Sequence, residues 1–524
     1  MVLLILYAVL LNGSILYHAW GVVRRLGHYI YPLDDTYIHL AVARNLAFHN
    51  TWGINPGQFS SASSSPFFTC LLSLAIKLFG ANDYIPLVLN GILANGILIF
   101  MYLFFRSYPF SFFLTAFFVV GASLLPIQVV VGMEAPLQIL MVLFMMQSFR
   151  DWQRTQYADG KKQKLFWATL AWAGLVRYEL LFPGLLLLIF ALWGGAPWRK
   201  VFSAAFFLLA PVVLFGFWCM AHAEFFLPNS VLSKSRLRLQ GETLGQMVRD
   251  ALVTLFSNQH HLYSLATLVV VSLSHAKPIT GSFFSNLKTN IFWQKAALPA
   301  CTILTLLAHM TLGGVGWLFR YEAYLMAMIG VTMGTSLNWQ YLRRQNFRYR
   351  ILLALCGFLT LNSVTQLGIG NYALLRAAHQ NIHDQQWQIA RFLHQYFPKK
   401  IVAVNDIGLI SYKADVEVVD MVGIGTSSIL RLWLYAPEKV ADSLNALSYD
   451  LMVIYDSWFR QIPFEGRCAV GQICIPNNRI CGDSVVSFYV SCRDTGGLRK
   501  ACQALKEFAP SLPQGVAYRP ADCP

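Results

Sequence analysis

Charge is what this sequence has least of. Of its 524 residues only 12% are charged while 56% are apolar. That balance excludes a soluble protein of several domains and points to a polytopic membrane protein. No glycine-rich phosphate loop is present, which argues against a nucleotide site. The cysteines gathered near the end show no C-x-x-C spacing and no accompanying histidine, which argues against zinc. No matched pair of Gly/Pro-broken helices recurs in two similar halves, the pattern that points to a secondary transporter. The first apolar run lacks a basic segment before it and a small-residue cleavage site after it, so it reads as a retained anchor and not a cleaved signal. The net charge of +15 does not call for nucleic acid, because the basic residues fall where membrane topology puts them.

What is present is apolar length. A helix needs roughly 20 mostly apolar residues to cross a bilayer. About eleven runs reach or approach that length, near 2–20, 84–105, 109–127, 134–149, 165–179, 181–196, 201–221, 251–273, 296–313, 317–336 and 351–369. The shorter run PFFTCLLSLAIKLFG (66–80) reads as an interfacial or re-entrant helix. Lys and Arg accumulate in cytoplasmic loops, and here they cluster in alternate connections. These hold Arg150, Arg154, Lys161, Lys162 and Lys164, then Arg199 and Lys200, then Lys277, Lys288 and Lys295, then Arg343, Arg344, Arg348 and Arg350. This parity puts the amino terminus inside and the loop holding Asp34 and Asp35 outside. Arg24 and Arg25 dissent, since they would be external.

The same parity places the tail, 371–524, outside the membrane. Cys468, Cys474, Cys481, Cys492, Cys502 and Cys523 all fall there. An even set in an extracytoplasmic segment predicts three disulfides, with 15 pairings open. Ile382, Ile389, Phe392, Leu393 and Phe397 recur at helical spacing over 374–397, an amphipathic helix lying on the domain or the membrane. KIVAVNDIG, VEVVDMVG, DLMVIYDS and VVSFYVSC read as strands. The expected architecture is a helical membrane domain, 1–370, whose first outer loop is 21–83, followed by an α/β domain, 371–524.

The stretch YPLDDTYIHLAVARNL (31–46) puts two adjacent acids just past the first span. The rest of that loop, with aromatics, an Asn55-Pro56-Gly57 turn and the small-residue run 60–65, suits a shaped loop over a cavity. Glu134, Arg177 with Glu179, Asn229 with Lys234, Arg236 and Arg238, and Arg320 with Glu322 all fall at outer ends of spans. Ionisable groups at such depths are costly and face a cavity or a partner. Several loops offering them on one side define a shared polar site. An internal ion pair, as of Glu134 with Arg177, is the plain structural alternative for these residues. Asp406 and Asp420 each lie near a strand end, where loop capping accounts for them; acceptor binding is the functional alternative.

The order DDTYIHLAVARNLA, NPGQ, SSSPF, GMEAPL, VRYE, LPNSVLSK, FRYEAYLM and VNDIGLISYKADVEVVDMVGI resembles bacterial GT-C glycosyltransferases, in the branch with the mycobacterial arabinofuranosyltransferases. The family usually has Arg-Pro-Glu where this chain has Arg177-Tyr178-Glu179, and commonly Thr-Ser-Pro where it has Ser64-Ser65-Pro66. These are polytopic enzymes that use polyprenyl-phosphate sugars as donors. The resemblance implies an inverting transfer, in the cell inner membrane, to an extracytoplasmic glycan, lipid or protein acceptor. It maps the base onto Asp34 or Asp35. Asp34 is favoured, with Asp35 orienting it or holding a divalent cation (Mg, Mn or Ca). Lys234, Arg320 and Arg177 are candidates for the donor phosphate, because cations favour the leaving dianion. Glu134, His39, Glu179 and Asn229 are candidates for contacting the acceptor or orienting these groups. A transporter or flippase of lipid-linked intermediates is the alternative from another class.

Overall fold

The computed structural model describes residues 1–234, 244–275, 290–336 and 346–522. Arg236, Arg238, Lys277, Lys288, Arg343, Arg344 and Cys523, and the side chain of Lys234, lie outside the described residues.

Among the described residues six helices are long and apolar enough to cross a membrane: Val2–Leu26, Ile85–Phe105, Pro109–Val131, Trp198–Ala221, Phe292–Leu312 and Phe347–Tyr396. The expected count of about eleven is therefore not reached on length and apolarity. The difference has local causes. The run 251–273 is divided at Asn258 into helices Leu244–Ser257 and Gln259–His275. Arg177 adopts an extended backbone (φ −159°, ψ 137°) and ends helix Gly160–Val176, so the next apolar helix, Leu181–Trp193, is short. The run 317–336 forms helix only over Ala323–Ser336. The interfacial run is a helix, Pro66–Phe79, with Pro at its first position where a missing N–H costs nothing.

Ala323–Ser336 is the centre of the bundle, with every residue from Ala323 to Gly334 buried. Two glycines let the helix Pro109–Ala116 come close to it. A Cβ on Gly330 would meet the Phe118 side chain at 2.6 Å, and one on Gly334 the Thr115 hydroxyl at 2.1 Å. Small residues at such crossings replace hydrophobic driving force with close packing.

The charges sort by helix end. Helix Ala135–Arg154 has Glu134 at its start and Arg150 and Arg154 near its end. Gly160–Val176 starts among Lys161, Lys162 and Lys164 and ends at Arg177. Trp198–Ala221 starts with Arg199 and Lys200 and leads to Glu224 and Asn229. At about 1.5 Å per residue, the acids and the basic clusters sit tens of ångströms apart, at opposite ends of the bundle.

The tail carries a six-stranded sheet in the order β2-β1-β3-β5-β4-β6. Its strands are β1 (Ile401–Val404), β2 (Glu417–Asp420), β3 (Leu451–Ile454), β4 (Arg467–Cys474), β5 (Val485–Ser491) and β6 (Ala517–Pro520). β1 pairs parallel with β2 and β3; the remaining pairings are antiparallel. The four strands read from the sequence are all present. β4 and β6 lack a clean apolar alternation and were not expected. The helix over 374–397 is not a separate surface element. It continues the helix Phe347–Ile382 through a π-helical turn, His383–Trp387, into Gln388–Tyr396. Residue 370 thus falls inside one helix shared by the membrane bundle and the tail.

The expectation of three disulfides is corrected. Cys468 and Cys492 are bonded across β4 and the end of β5, and Cys502 is also disulfide-bonded, but Cys474 and Cys481 are free thiols. Cys474 is enclosed in the sheet, and Cys481 donates to Gln386 Oε1 at 3.3 Å.

Candidate active site

The site forms where the segment after the first helix meets the tail. Tyr29, Tyr31 and Tyr37 stack edge to face beneath it. Their hydroxyls donate to carbonyls or accept backbone N–H: Tyr29 donates to Val130 O at 2.8 Å, and Tyr37 Oη accepts from Tyr31 N at 2.9 Å. This packing fixes the turn 29–34, so Asp34 and Asp35 open the helix Asp35–His49 as partly exposed residues between buried neighbours.

The two acids have different partners. Asp34 Oδ2 accepts from Gly408 N at 2.7 Å and Oδ1 from Leu409 N at 2.8 Å. The approach is close: a Cβ on Gly408 would lie 2.1 Å from the Asp34 carbonyl oxygen. Burial and the nearby Asp406 carboxylate push the Asp34 carboxyl up to about 8, against the pull of the two amides. Asp35 Oδ2 instead accepts from Arg320 at 2.5 Å.

From Asp35 a continuous polar chain runs inward. Arg320 also donates to Tyr321 Oη at 2.5 Å, and its charge lies 4.6 Å from the Tyr321 ring centre. Arg177 approaches the same ring at 5.4 Å. Arg177 is gripped by Glu179 through two bonds, at 3.0 and 2.5 Å, and by Glu134. Glu134 Oε2 lies 3.3 Å from His39 Nε2, and His39 Nδ1 lies 3.0 Å from Ser63 Oγ. Tyr321 thus separates two buried guanidiniums. Among the described residues Arg177 faces two carboxylates and Arg320 one, and Arg320 Nε is buried with no hydrogen-bond partner.

A second arm closes the site's far side. Asn229 Nδ2 donates to Glu224 Oε2 at 2.7 Å and to Ile424 O at 3.2 Å, and Ser61 donates to the same Glu224 oxygen at 3.1 Å. Lys234 lies at the end of the short helix Asn229–Lys234 that follows.

The tail contributes as much as the membrane bundle. Asp406 Oδ2 accepts from Tyr455 Oη at 2.6 Å and Gln386 Nε2 at 2.7 Å. Asn55 and Val418 exchange two bonds, at 2.8 and 2.9 Å, and Arg44 donates to Ser411 O at 3.0 Å. Asp420 is enclosed by its own loop, accepting from Val422 N and Gly425 N, and burial raises it to about 6 against those amides. It is a loop cap. Asp406 reaches Asp34.

The sequence candidates Asp34, Asp35, Arg320, Arg177, Glu179, Glu134 and His39 are therefore joined in one region, with Asn229 beside it. Tyr321, Glu224, Tyr455 and the Gly408–Leu409 amides were not read from sequence. Only NDIG, already marked as a motif, pointed toward the amides. Among the described residues no three His, Cys, Asp or Glu come together as a metal cluster. Asp35, the candidate metal ligand, holds Arg320, and no step is drawn through a cation.

Taken together, the chain is a helical bundle with an acid-and-arginine site at one end, roofed by an α/β tail. The crystal structure of ArnT from Cupriavidus metallidurans bound to undecaprenyl phosphate is similar over 93% of this chain and 97% of that one, with a TM-score of 0.55 and 12% identity. At that identity the likeness is one of fold. Residues 380–489 match a domain of unknown function (DUF8728). No curated protein matches the sequence.

Proposed function

We propose that this protein is a membrane glycosyltransferase that moves a sugar from a polyprenyl-phosphate donor to an acceptor hydroxyl on a glycan, lipid or protein. The observation that carries this reading is the pairing of the ArnT-like fold with two adjacent acids, Asp34 held by two amides and Asp35 by the buried Arg320. The ArnT structure holds undecaprenyl phosphate, which supports a polyprenyl-phosphate-linked donor here.

In this reading Asp34 is the general base. Its two oxygens each accept one amide and keep further lone pairs for the acceptor hydroxyl. A carboxyl raised to about 8 is a far stronger base than an ordinary one, near the strength that suits proton transfer at neutral pH. The acceptor oxygen attacks the anomeric carbon as its proton passes to Asp34. The bond from that carbon to the phosphate oxygen breaks, and its electron pair leaves with the polyprenyl phosphate. A single displacement inverts the anomeric configuration. Arg320 and Lys234 are assigned to the leaving phosphate. Asp35 holds Arg320 in position. Arg177, already neutralised by Glu134 and Glu179, serves as a strut that fixes Tyr321 and Glu134.

The basic ends of helices Ala135–Arg154, Gly160–Val176 and Trp198–Ala221 lie opposite the acids. By the distribution of Lys and Arg this supports a site and tail on the extracytoplasmic face of the inner membrane. The test is transfer from labelled polyprenyl-phosphate sugars in membranes containing the protein or its Asp34→Asn variant. Transfer that requires Asp34 supports the reading; unmodified donor merely moved across the bilayer would overturn it in favour of a flippase.

A further inference from the structure

Arg24 and Arg25 break the charge asymmetry of the other helices. They sit at the end of Val2–Leu26 that leads into the acid-bearing turn. Arg376 joins them from the long helix Phe347–Ile382. All three side chains are exposed, and among the described residues none has a carboxylate partner. Arg25 and Arg376 interact as like charges, and both act on His18. Like charges gathered at one place offer a site to an anion from outside the chain.

Below them the two helices form a graded stripe. Val364, Gly368, Tyr372 and Arg376 recur every fourth residue and so share one face. Tyr372 stacks on His18 at 4.9 Å, and its hydroxyl lies 3.2 Å from Ser14 Oγ. Further down is an apolar crevice of about 270 Å³ lined by Leu10, Leu11, Leu124, Val364 and Gly368. Trp20 and Tyr17, on the same helix near its basic end, are 58% and 62% exposed, the placement of interfacial aromatic anchors. From Leu11 to Arg25 the helix rises about 21 Å. Half a bilayer, headgroups included, measures about 20–22 Å. The stripe therefore matches one lipid of one leaflet, apolar at the midplane end and cationic at the headgroup end.

We propose that this stripe binds one anionic phospholipid, its phosphate between Arg25 and Arg376 and an acyl chain in the crevice. It is distinct from the donor site, whose arginines lie in the buried chain around Tyr321.

The test is native mass spectrometry of the full-length protein from micelles doped with phosphatidylglycerol, phosphatidylcholine or undecaprenyl phosphate. The wild-type protein should retain phosphatidylglycerol in preference to phosphatidylcholine. Arg25→Gln with Arg376→Gln should weaken retention about thirtyfold, about fivefold per arginine, while Arg25→Lys with Arg376→Lys keeps it. Gly368→Leu should fill the crevice and release both phospholipids, because a Cβ there meets only Leu124, at 3.8 Å. An unchanged preference in the Gln double variant, no preference in the wild type, or stronger retention of undecaprenyl phosphate on the same arginines would each overturn the proposal.

Discussion

Asp34 makes the sharpest prediction, because its carboxyl is poised by two opposing influences. Burial and Asp406 push it up to about 8, and the Gly408 and Leu409 amides oppose them. If Asp34 is the base, only about a tenth of the enzyme holds it ionised at pH 7, and about a hundredth at pH 6. kcat/KM should then rise about tenfold per pH unit up to a plateau near pH 8. Asp406→Asn removes the like charge while keeping an oxygen to accept from Tyr455 and Gln386. One pKa unit is about 1.4 kcal/mol, and like charges in one partly buried site repel by at least about that much. The rising limb should therefore move down by about one unit or more. Asp34→Asn should lower turnover roughly a hundred- to ten-thousand-fold and flatten the limb. It also leaves one of the two amides facing an NH2 group, at a cost of about 1–3 kcal/mol, so thermal stability must be recorded alongside rate. The stability sign is independent of catalysis. A carboxyl raised in the folded state stabilises it at low pH, and that contribution is lost as pH rises from the ordinary carboxylate range to about 8. A folded Asp34→Asn enzyme with near wild-type turnover would refute the assignment. So would a limb in the ordinary carboxylate range that ignores Asp406→Asn.

Gly408→Ala should disable the enzyme without touching a charged group, since its Cβ would lie 2.1 Å from the Asp34 carbonyl; a wild-type rate in this variant would show that the tail does not fix Asp34. Arg320→Gln should weaken donor binding about tenfold to a hundredfold, the loss of a charge-assisted contact worth about 1.5–3 kcal/mol, whereas Arg177→Gln should mainly lower thermal stability by stranding Glu134 and Glu179. Asn55→Ala should loosen the tail by about 1–3 kcal/mol, leaving the Val418 N–H and carbonyl unpaired; hydrogen exchange at β2 reads this directly. Mass mapping under non-reducing conditions should find Cys468 joined to Cys492 and alkylation at Cys474 and Cys481 only after unfolding.

Much of this was legible in one dimension, for reasons that are local. Apolar length reports a membrane helix because the bilayer sets a minimum span, and the alternation of basic loops reports which ends lie together. β1, β3 and β5 showed as short apolar runs because their centres are buried on both faces, and β2 because its half-buried position is also valine; β4 and β6 did not, because their exposed positions break that run. The adjacency of Asp34 and Asp35 marked the candidate site before any coordinates. Their different partners were not visible there. Neighbours in sequence, they turn to different partners: Asp34 to amides some 374 residues away, Asp35 to an arginine some 285 away. The sharing of Arg177 between Glu134 and Glu179, the Tyr321 ring between two guanidiniums, and the approach of Asp406 to Asp34 are likewise products of packing. Sequence determines which groups are available and at which ends of the apolar runs they gather. Only the tertiary structure decides which of them meet, because a carboxylate's strength as a base depends on the dipoles and charges within a few ångströms of it, and the chain's order does not encode those distances.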